Sequence, residues 1–373
     1  MTYKHYILLI LFISSSLLPH AWAQKIQVGS YNFKDGSVYT GQLSGGKPNG
    51  KGRTVFTNGD NYEGEYIKGR RHGYGVYTFS DGERYEGQWF QDQQHGNGTY
   101  YYLNNNRYEG LWFRDYREGK GKMYYYNGDV YEGDWKEDLR SGRGTYTYAN
   151  GAYYKGDWQN DKKHGLGVFD WNDGCKYDGS WSNNMRNGRG TYYYTDGDSY
   201  HGDWKNDQKE GKGIYKFKNG DVYEGSYLMG ERTGEGIFTF ANGNKYIGNF
   251  TSGEQDGEGT FTWKGVASYV GQWKNNKRNG QGIYKWKNGD EYTGAWLNNE
   301  MHGEGTIKKA NGEKFKGTFQ HGKKEGKAIE IYADGSRFEG TYKNDEKDGA
   351  FILYDKNGNV VQKGTYKHGR IQK

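Results

Sequence analysis

The chain has 373 residues, with 52 Lys and Arg against 46 Asp and Glu, for a formal net charge of +6. That balance argues against a nucleic-acid binder, whose charge is strongly basic, and the single cysteine, Cys175, excludes an internal disulfide framework. Aromatic residues are 18% of the chain, with 38 Tyr and 12 Trp, beside 63 Gly and 2 Pro. The area available for burial therefore sits in amphipathic rings, and the scarcity of Pro, which cannot donate to a ladder of strands, points to an all-β protein.

The opening MTYKHYILLILFISSSLLPHAWAQ has a basic start at Lys4, an apolar run from Tyr6 to Leu18, and an A-x-A pattern at Ala21, Trp22 and Ala23. This is the pattern of a secretory signal peptide over residues 1–23, cleaved before Gln24. The run is shorter than the about 20 residues a membrane-spanning helix needs. The expectation is an exported protein, periplasmic, cell-envelope or extracellular.

From there an internal repeat governs the chain to residue 349. A Y-x-G element recurs with Tyr at 39, 62, 85, 108, 131, 154, 177, 200, 223, 246, 269 and 292, then Phe at 315 and 338, fourteen copies at an interval of 23. A G-x-G element follows each, from Gly50 and Gly52 to Gly303 and Gly305, and decays at Ala328 and Phe351. Within a repeat the alternation has period two, as in Tyr131, Gly133, Trp135 and then Gly144, Tyr146, Tyr148. Both halves read as strands with one aromatic face, and the Gly between Tyr and Trp leaves room for a ring over the backbone.

Asn-Gly or Asp-Gly closes the second strand in twelve of fourteen repeats, the signal of a two-residue hairpin turn. Asn104-Asn105 can still adopt positive φ, whereas Gly265-Val266 predicts a local irregularity. The other turn, as in KEDLRSG from Lys136, reads as longer and polar. The fold class is thus an elongated single-layer antiparallel β-meander of repeated hairpins, about 28 strands at about 4.8 Å, or ~130 Å of coiled ribbon.

The pattern G-x-x-Y-x-G-x-W, then H/N-G-x-G and N/D-G, as in DGERYEGQWFQDQQHGNGTYYYLNN from Asp81, resembles the MORN repeat (membrane occupation and recognition nexus). The resemblance covers about Tyr31 to Gly349 and assigns residues 24–349 to a repeat domain of fourteen copies, with 350–373 as a degenerate C-terminal cap. It implies non-catalytic binding or scaffolding, sometimes at membranes, as in junctophilins and radial-spoke and cytoskeletal scaffolds. In plant phosphatidylinositol phosphate kinases a separate domain carries the chemistry, so an enzyme linked to lipid phosphorylation is the remotest alternative.

No catalytic residue, metal site or cofactor is expected. His72, His95, His164 and His302 recur at the turn, but adjacent copies stand about 10 Å apart, too far to share an ion. Glu63, Glu86, Glu109 and Glu132 form a row with the same spacing, yet identical repeats give them one environment and cannot split a pair of pKa values. Neither a P-loop nor a G-x-S-x-G elbow occurs. The informative row stands before H/N-G-x-G, where ten of thirteen positions are basic: Arg71, Arg117, Arg140, Lys163, Arg186, Lys209, Arg232, Arg278, Lys324 and Lys347. An acidic row, Asp60, Glu83, Asp129, Asp198, Asp221, Asp290 and Glu313, marks the opposite edge. The leading expectation is a scaffold for a protein or envelope component. The second is an anionic lipid or polyanionic glycan held by the basic row, against solvated turns that merely keep the ribbon soluble. Oligomeric state is left open.

Overall fold

A computed structural model describes residues 26–372, so the leader reading of residues 1–23 lies outside the described residues. They fall into two compact units, one ending at Tyr126 and one starting at Asn127. The first is an antiparallel meander from the strand Gln27–Asn32 to the strand Tyr116–Tyr124; the second runs from Val130–Lys136 to Arg370–Ile371 in the same manner. Among the described residues no helix is long and apolar enough to cross a membrane.

One repeat of the second unit shows why this sequence makes this sheet. The strands Tyr153–Gln159 and Lys162–Asp170 pair through Tyr154↔Phe169 and Gly156↔Gly167. Tyr154 lies flat across that glycine pair and donates its hydroxyl to the Asp157 carbonyl at 2.9 Å. A Cβ on Gly156 would stand 2.5 Å from the Gly167 Cα and 2.6 Å from the Tyr154 Oη, so both positions must be Gly. Trp158 of the same repeat and Trp181 of the next flank the phenol edge-on, with centroids at 5.2 and 5.4 Å. Twelve such tyrosines, Tyr39 through Tyr292, are 0% exposed. A single-layer sheet thus obtains a core by laying rings on its own backbone and wedging each between two others. The Trp181 indole also donates to the Gly167 carbonyl at 3.0 Å.

The first Gly of G-x-G does a different job. Pairing steps from Gly156↔Gly167 to Asp157↔His164, a bulge in the second strand, and Gly165 takes φ +58° there. The amide of Leu166, freed by the bulge, donates to the Asp157 carboxylate at 2.9 Å.

The turns correct the sequence reading, which had the two kinds interchanged. At Asn219-Gly220 the loop has three residues: Phe217 N–H donates to the Asp221 carbonyl at 2.9 Å and Gly220 N–H to the Phe217 carbonyl at 3.0 Å. Only Gly220 has positive φ, +91°, which is a turn closed by a Gly bulge and not a two-residue turn. The turn expected to be longer is the tight one. Gln159 pairs with Lys162 across Asn160 and Asp161, which both take positive φ, 48° and 64°, as a two-residue type I′ turn requires. Asn and Asp tolerate that conformation without being Gly. Asn105 does fill the Gly place at φ 63°, and the turn at Gly265 is irregular as expected, its positive φ of 70° standing one residue before Val266.

Candidate binding faces

The basic row is not a fringe of solvated turns. Arg140 and its counterparts sit at the start of each second strand, point onto the aromatic face, and pack among the rings of their own repeat and, for most, of the following one. The guanidinium carbon lies 4.3 Å from the Trp89 centroid for Arg71, 4.4 Å from Trp158 for Arg140, 4.4 Å from Trp204 for Arg186 and 4.3 Å from Trp296 for Arg278. Lys163 stands 4.5 Å from Trp181, Lys209 5.2 Å from Tyr227 and Arg232 5.6 Å from Phe250. Arg117 stands 5.7 Å from Tyr108. Lys324 and Lys347 lie 4.1 and 3.8 Å from Phe315 and Phe338 and share the Glu330 carboxylate at 3.2 and 3.1 Å. Arg71, Arg140 and Arg186 are only 19 to 20% exposed.

The type I′ turn supplies the second clamp. Asp161 accepts from the Arg140 amide at 2.9 Å and from its Nε at 2.8 Å, while its own amide donates back to the Arg140 carbonyl at 3.0 Å. Asp92 and Asp207 hold the amides of Arg71 and Arg186 in the same way. Asn184 and Asn299 do so for Lys163 and Arg278. Burial among the rings pushes the Lys163 ammonium down to about 8. An anionic ligand reaching this row would compete with contacts that tie one repeat to the next.

The acidic row at the other edge is a second set of such ties. Asp129 accepts from the Tyr146 hydroxyl at 2.7 Å and the Ala149 amide at 2.9 Å; Asp198 accepts from Tyr215 at 2.7 Å and the Lys218 amide at 2.8 Å. Burial raises the carboxyl of Asp129, but those bonds outweigh it and hold it below its ordinary value. The segregation of sign along the edges therefore has an internal cause, which sequence reasoning missed. Its signal was the place three residues after the Trp position, which is Asp, Asn or Gly in every copy, a restriction that a merely polar turn does not need.

His72 and His95 lie against aromatic rings. His95 stands 5.6 and 5.3 Å from Phe90 and Phe113. Among the described residues no group of three or more His, Cys, Asp or Glu could hold a metal. Cys175 is half-buried with a free thiol.

The opposite face carries the departure from the repeat. The residue after each Tyr is polar or charged from Thr40 through Lys155, Asp178 and His201 to Glu224, but Ile247 and Val270 in the next two copies, 48 and 51% exposed. Cross-strand pairing aligns Ile237 with Ile247, Thr260 with Val270, Val270 with Ile283 and Ile283 with Thr293. An uncharged line thus crosses six strands, from Glu231–Thr239 to Glu291–Leu297. Glu235 and Glu258 stand two residues to one side of it, and Lys245 and Lys285 two residues to the other. Ile214, Ile237, Ile247 and Val270 line a cleft of about 770 Å³.

Comparison with known proteins gives the family. A model described as MORN repeat matches thirteen consecutive copies over residues 39–337. The copy starting at Tyr246 is matched only to residue 265, where the turn is irregular. The fourteenth copy at Phe338 lies beyond the match; there Phe351 replaces the second Gly and its ring stacks on Phe338 at 5.8 Å and 22°. No curated protein matches the chain. Solved structures that overlay on it include the SAS-4 TCP domain with a proline-rich motif of Ana2 from Drosophila melanogaster, 18% identical over 42% of this chain and 85% of that one, with a TM-score of 0.28. The TCP10 domain of Danio rerio CPAP with a STIL peptide is 9% identical over 91% and 100% of the two chains, at a TM-score of 0.11. A catalytically inactive virginiamycin B lyase from Staphylococcus aureus with quinupristin is 11% identical over 71% and 94%, at 0.12. Scores this low carry no argument about this chain.

Proposed function

The chain belongs to the MORN-repeat family, and from that premise we propose that it is a non-catalytic binding scaffold whose contact surface is the face opposite the rings, centred on Ile247 and Val270. The observation that carries this reading is the pair of apolar residues, Ile247 and Val270, at a position that is polar or charged in the other twelve copies. The aromatic face is consumed by packing, and both charged rows are tied to neighbouring repeats. What is left for a partner is the line Ile237, Ile247, Val270 and Ile283, with Glu235 and Glu258 on one flank and Lys245 and Lys285 on the other. The matching partner is a protein segment with an apolar stripe, basic residues facing the two glutamates and an acidic residue facing Lys245, since Lys285 already pairs with Glu291 at 3.1 Å.

A photo-crosslinkable residue at position 270, in the native host, should capture a protein that the same residue at Lys155, on the corresponding row far from the patch, does not. Ile247→Lys combined with Val270→Lys should abolish that capture with circular dichroism unchanged. Equal capture from both positions would reject this face. The signal-peptide pattern adds that the scaffold works outside the cytoplasm. Mass spectrometry of the native protein should find an N-terminus at Gln24, and a chain beginning at Met1 would reject export by this route.

A further inference from the structure

Every complete repeat pairs a first-half strand, bearing Tyr, Gly and Trp, with a second-half strand bearing G-x-G. The described ladder starts and stops out of phase with that unit. Gly29 stands 23 residues before Gly52, so the first strand, Gln27–Asn32, is a second-half strand. It pairs with Val38–Ser44 through Gly29↔Gly41, and among the described residues no strand pairs with its outer side. Elsewhere the corresponding Gly is roofed by the ring of the strand before it: a Cβ on Gly52 would meet Tyr39 at 2.2 Å. A Cβ on Gly29 would meet only the Leu43 Cδ1, at 3.1 Å.

The other end has the opposite deficit. Val360–Lys367 is a first-half strand, with Gly364 and Tyr366 in the places of Gly and Trp, and it pairs inward through Phe351↔Gly364. On its outer side Arg370–Ile371 pairs only with Tyr366 and Lys367. Among the described residues no strand covers the outer side of the stretch from Val360 to Gly364. In repeat phase Ile371 takes the place of Arg140 and Gln27 that of Gly142, so the short strand ends about where the first strand would begin.

We propose that these two edges pair between copies, joining the chain head to tail to a second copy, with Gly364 opposite Gly29 of the next copy in the register that Gly133 and Gly144 keep within a hairpin. The junction joins two half-repeats, with Gly364 and Tyr366 in the Gly and Trp places and Gln362 in the place of the roofing Tyr. The first edge is not blunted, since Gln27–Asn32 has no charge and no Pro and Val28 is 79% exposed, and on the other Val360 and Val361 are 50 and 63% exposed, with Lys363 the one charge in the uncovered stretch. Such edges are templates for another strand, and a heterologous contact of this kind leaves a free edge at each end to which a further copy can add.

The register sets Ser30 of one copy directly opposite Lys363 of the other, on the face without rings. Sedimentation velocity of the full chain at low salt should show species beyond dimer that grow with concentration. Ser30→Lys opposes two ammonium groups and should weaken association several-fold, Ser30→Glu should strengthen it by a similar factor, and adding Lys363→Glu to Ser30→Lys should restore it. A full chain that stays monomeric at every concentration would overturn the proposal. So would Ser30→Lys and Ser30→Glu acting in the same direction, or a double variant that does not recover.

Discussion

Tyr177 and its two glycines set the tolerance of the array at the scale of single residues. A Cβ on Gly179 would stand 2.4 Å from the Gly190 Cα and 2.7 Å from the Tyr177 Oη, so it meets backbone that has nowhere to retreat. Gly179→Val should cost about 1 to 3 kcal/mol, as other overpacked sites do, whereas Asp178→Asn, on the exposed face of the same strand, should stay within about 0.5 kcal/mol. Urea melts followed by tryptophan fluorescence separate the two; equal losses would reject the face assignment. Lys163 gives a second residue-scale test. Its folded pKa of about 8 lies below the ordinary 10.5, so between those values the unfolded chain binds more protons and stability rises with pH. Lys163→Met should remove that rise over pH 8 to about 9.5, before phenols titrate. A parent and variant that keep a constant stability difference across the window would show that the ammonium is not buried as described.

Between residue and array, the working element is the type I′ turn with the strand of the preceding repeat. Asp161 accepts two bonds from Arg140 while holding φ 64°. Asp161→Asn should be nearly silent, because Asn184 does the same for Lys163 at 2.8 Å. Asp161→Ala loses the acceptor, strands the Arg140 amide and puts a residue that disfavours positive φ into the turn, for about 1 to 3 kcal/mol. Hydrogen exchange at the Arg140 amide reads this locally, and unchanged protection in the Ala variant would reject the clamp. This element also marks the limit of what the sequence disclosed. The period of 23, the aromatic face and the glycine seats follow from alternation and could be read directly. The turns were interchanged because Asn-Gly is shared by the tight hairpin and by the three-residue loop with its Gly bulge, whereas Asn160-Asp161 lacks Gly altogether. The basic and acidic rows were recognised as rows, but their partners sit 21 or 17 residues on, in the next repeat. A pattern read within one repeat cannot show a bond between two.

At the scale of the whole molecule the tyrosines make stability a function of alkaline pH. Four of the twelve unexposed phenols belong to the first unit and eight to the second. Burial raises Tyr39, Tyr62 and Tyr85 of the first unit and the seven from Tyr154 to Tyr292 of the second, to about 12 for Tyr223 and Tyr269. An unfolded chain ionises the same groups near 10. The folded pKa is the higher one, so the contribution is fully present below pH 10 and is lost as pH climbs toward the folded values. Each such phenol removes about 1.4 kcal/mol per pH unit once the unfolded form is ionised, and the seven of the second unit acting together reach the usual stability of a domain within about one unit. The expected outcome is an abrupt loss of β-sheet ellipticity between about pH 10 and 11.5, with tyrosinate absorbance rising in the same step because the seated rings cannot ionise before the ladder opens. Replacing Tyr200 and Tyr223 by Phe, as Phe315 and Phe338 already stand in the later copies, should shift that transition upward despite the lost hydroxyl bonds to the Asp203 and Ser226 carbonyls. Exposed tyrosines such as Tyr74 and Tyr126 ionise apart from that step, so the test is the amplitude. All tyrosinate appearing gradually with the sheet intact, and none left for the unfolding step, would mean that the seated rings are open to solvent and that the glycine seats are not what holds this protein together.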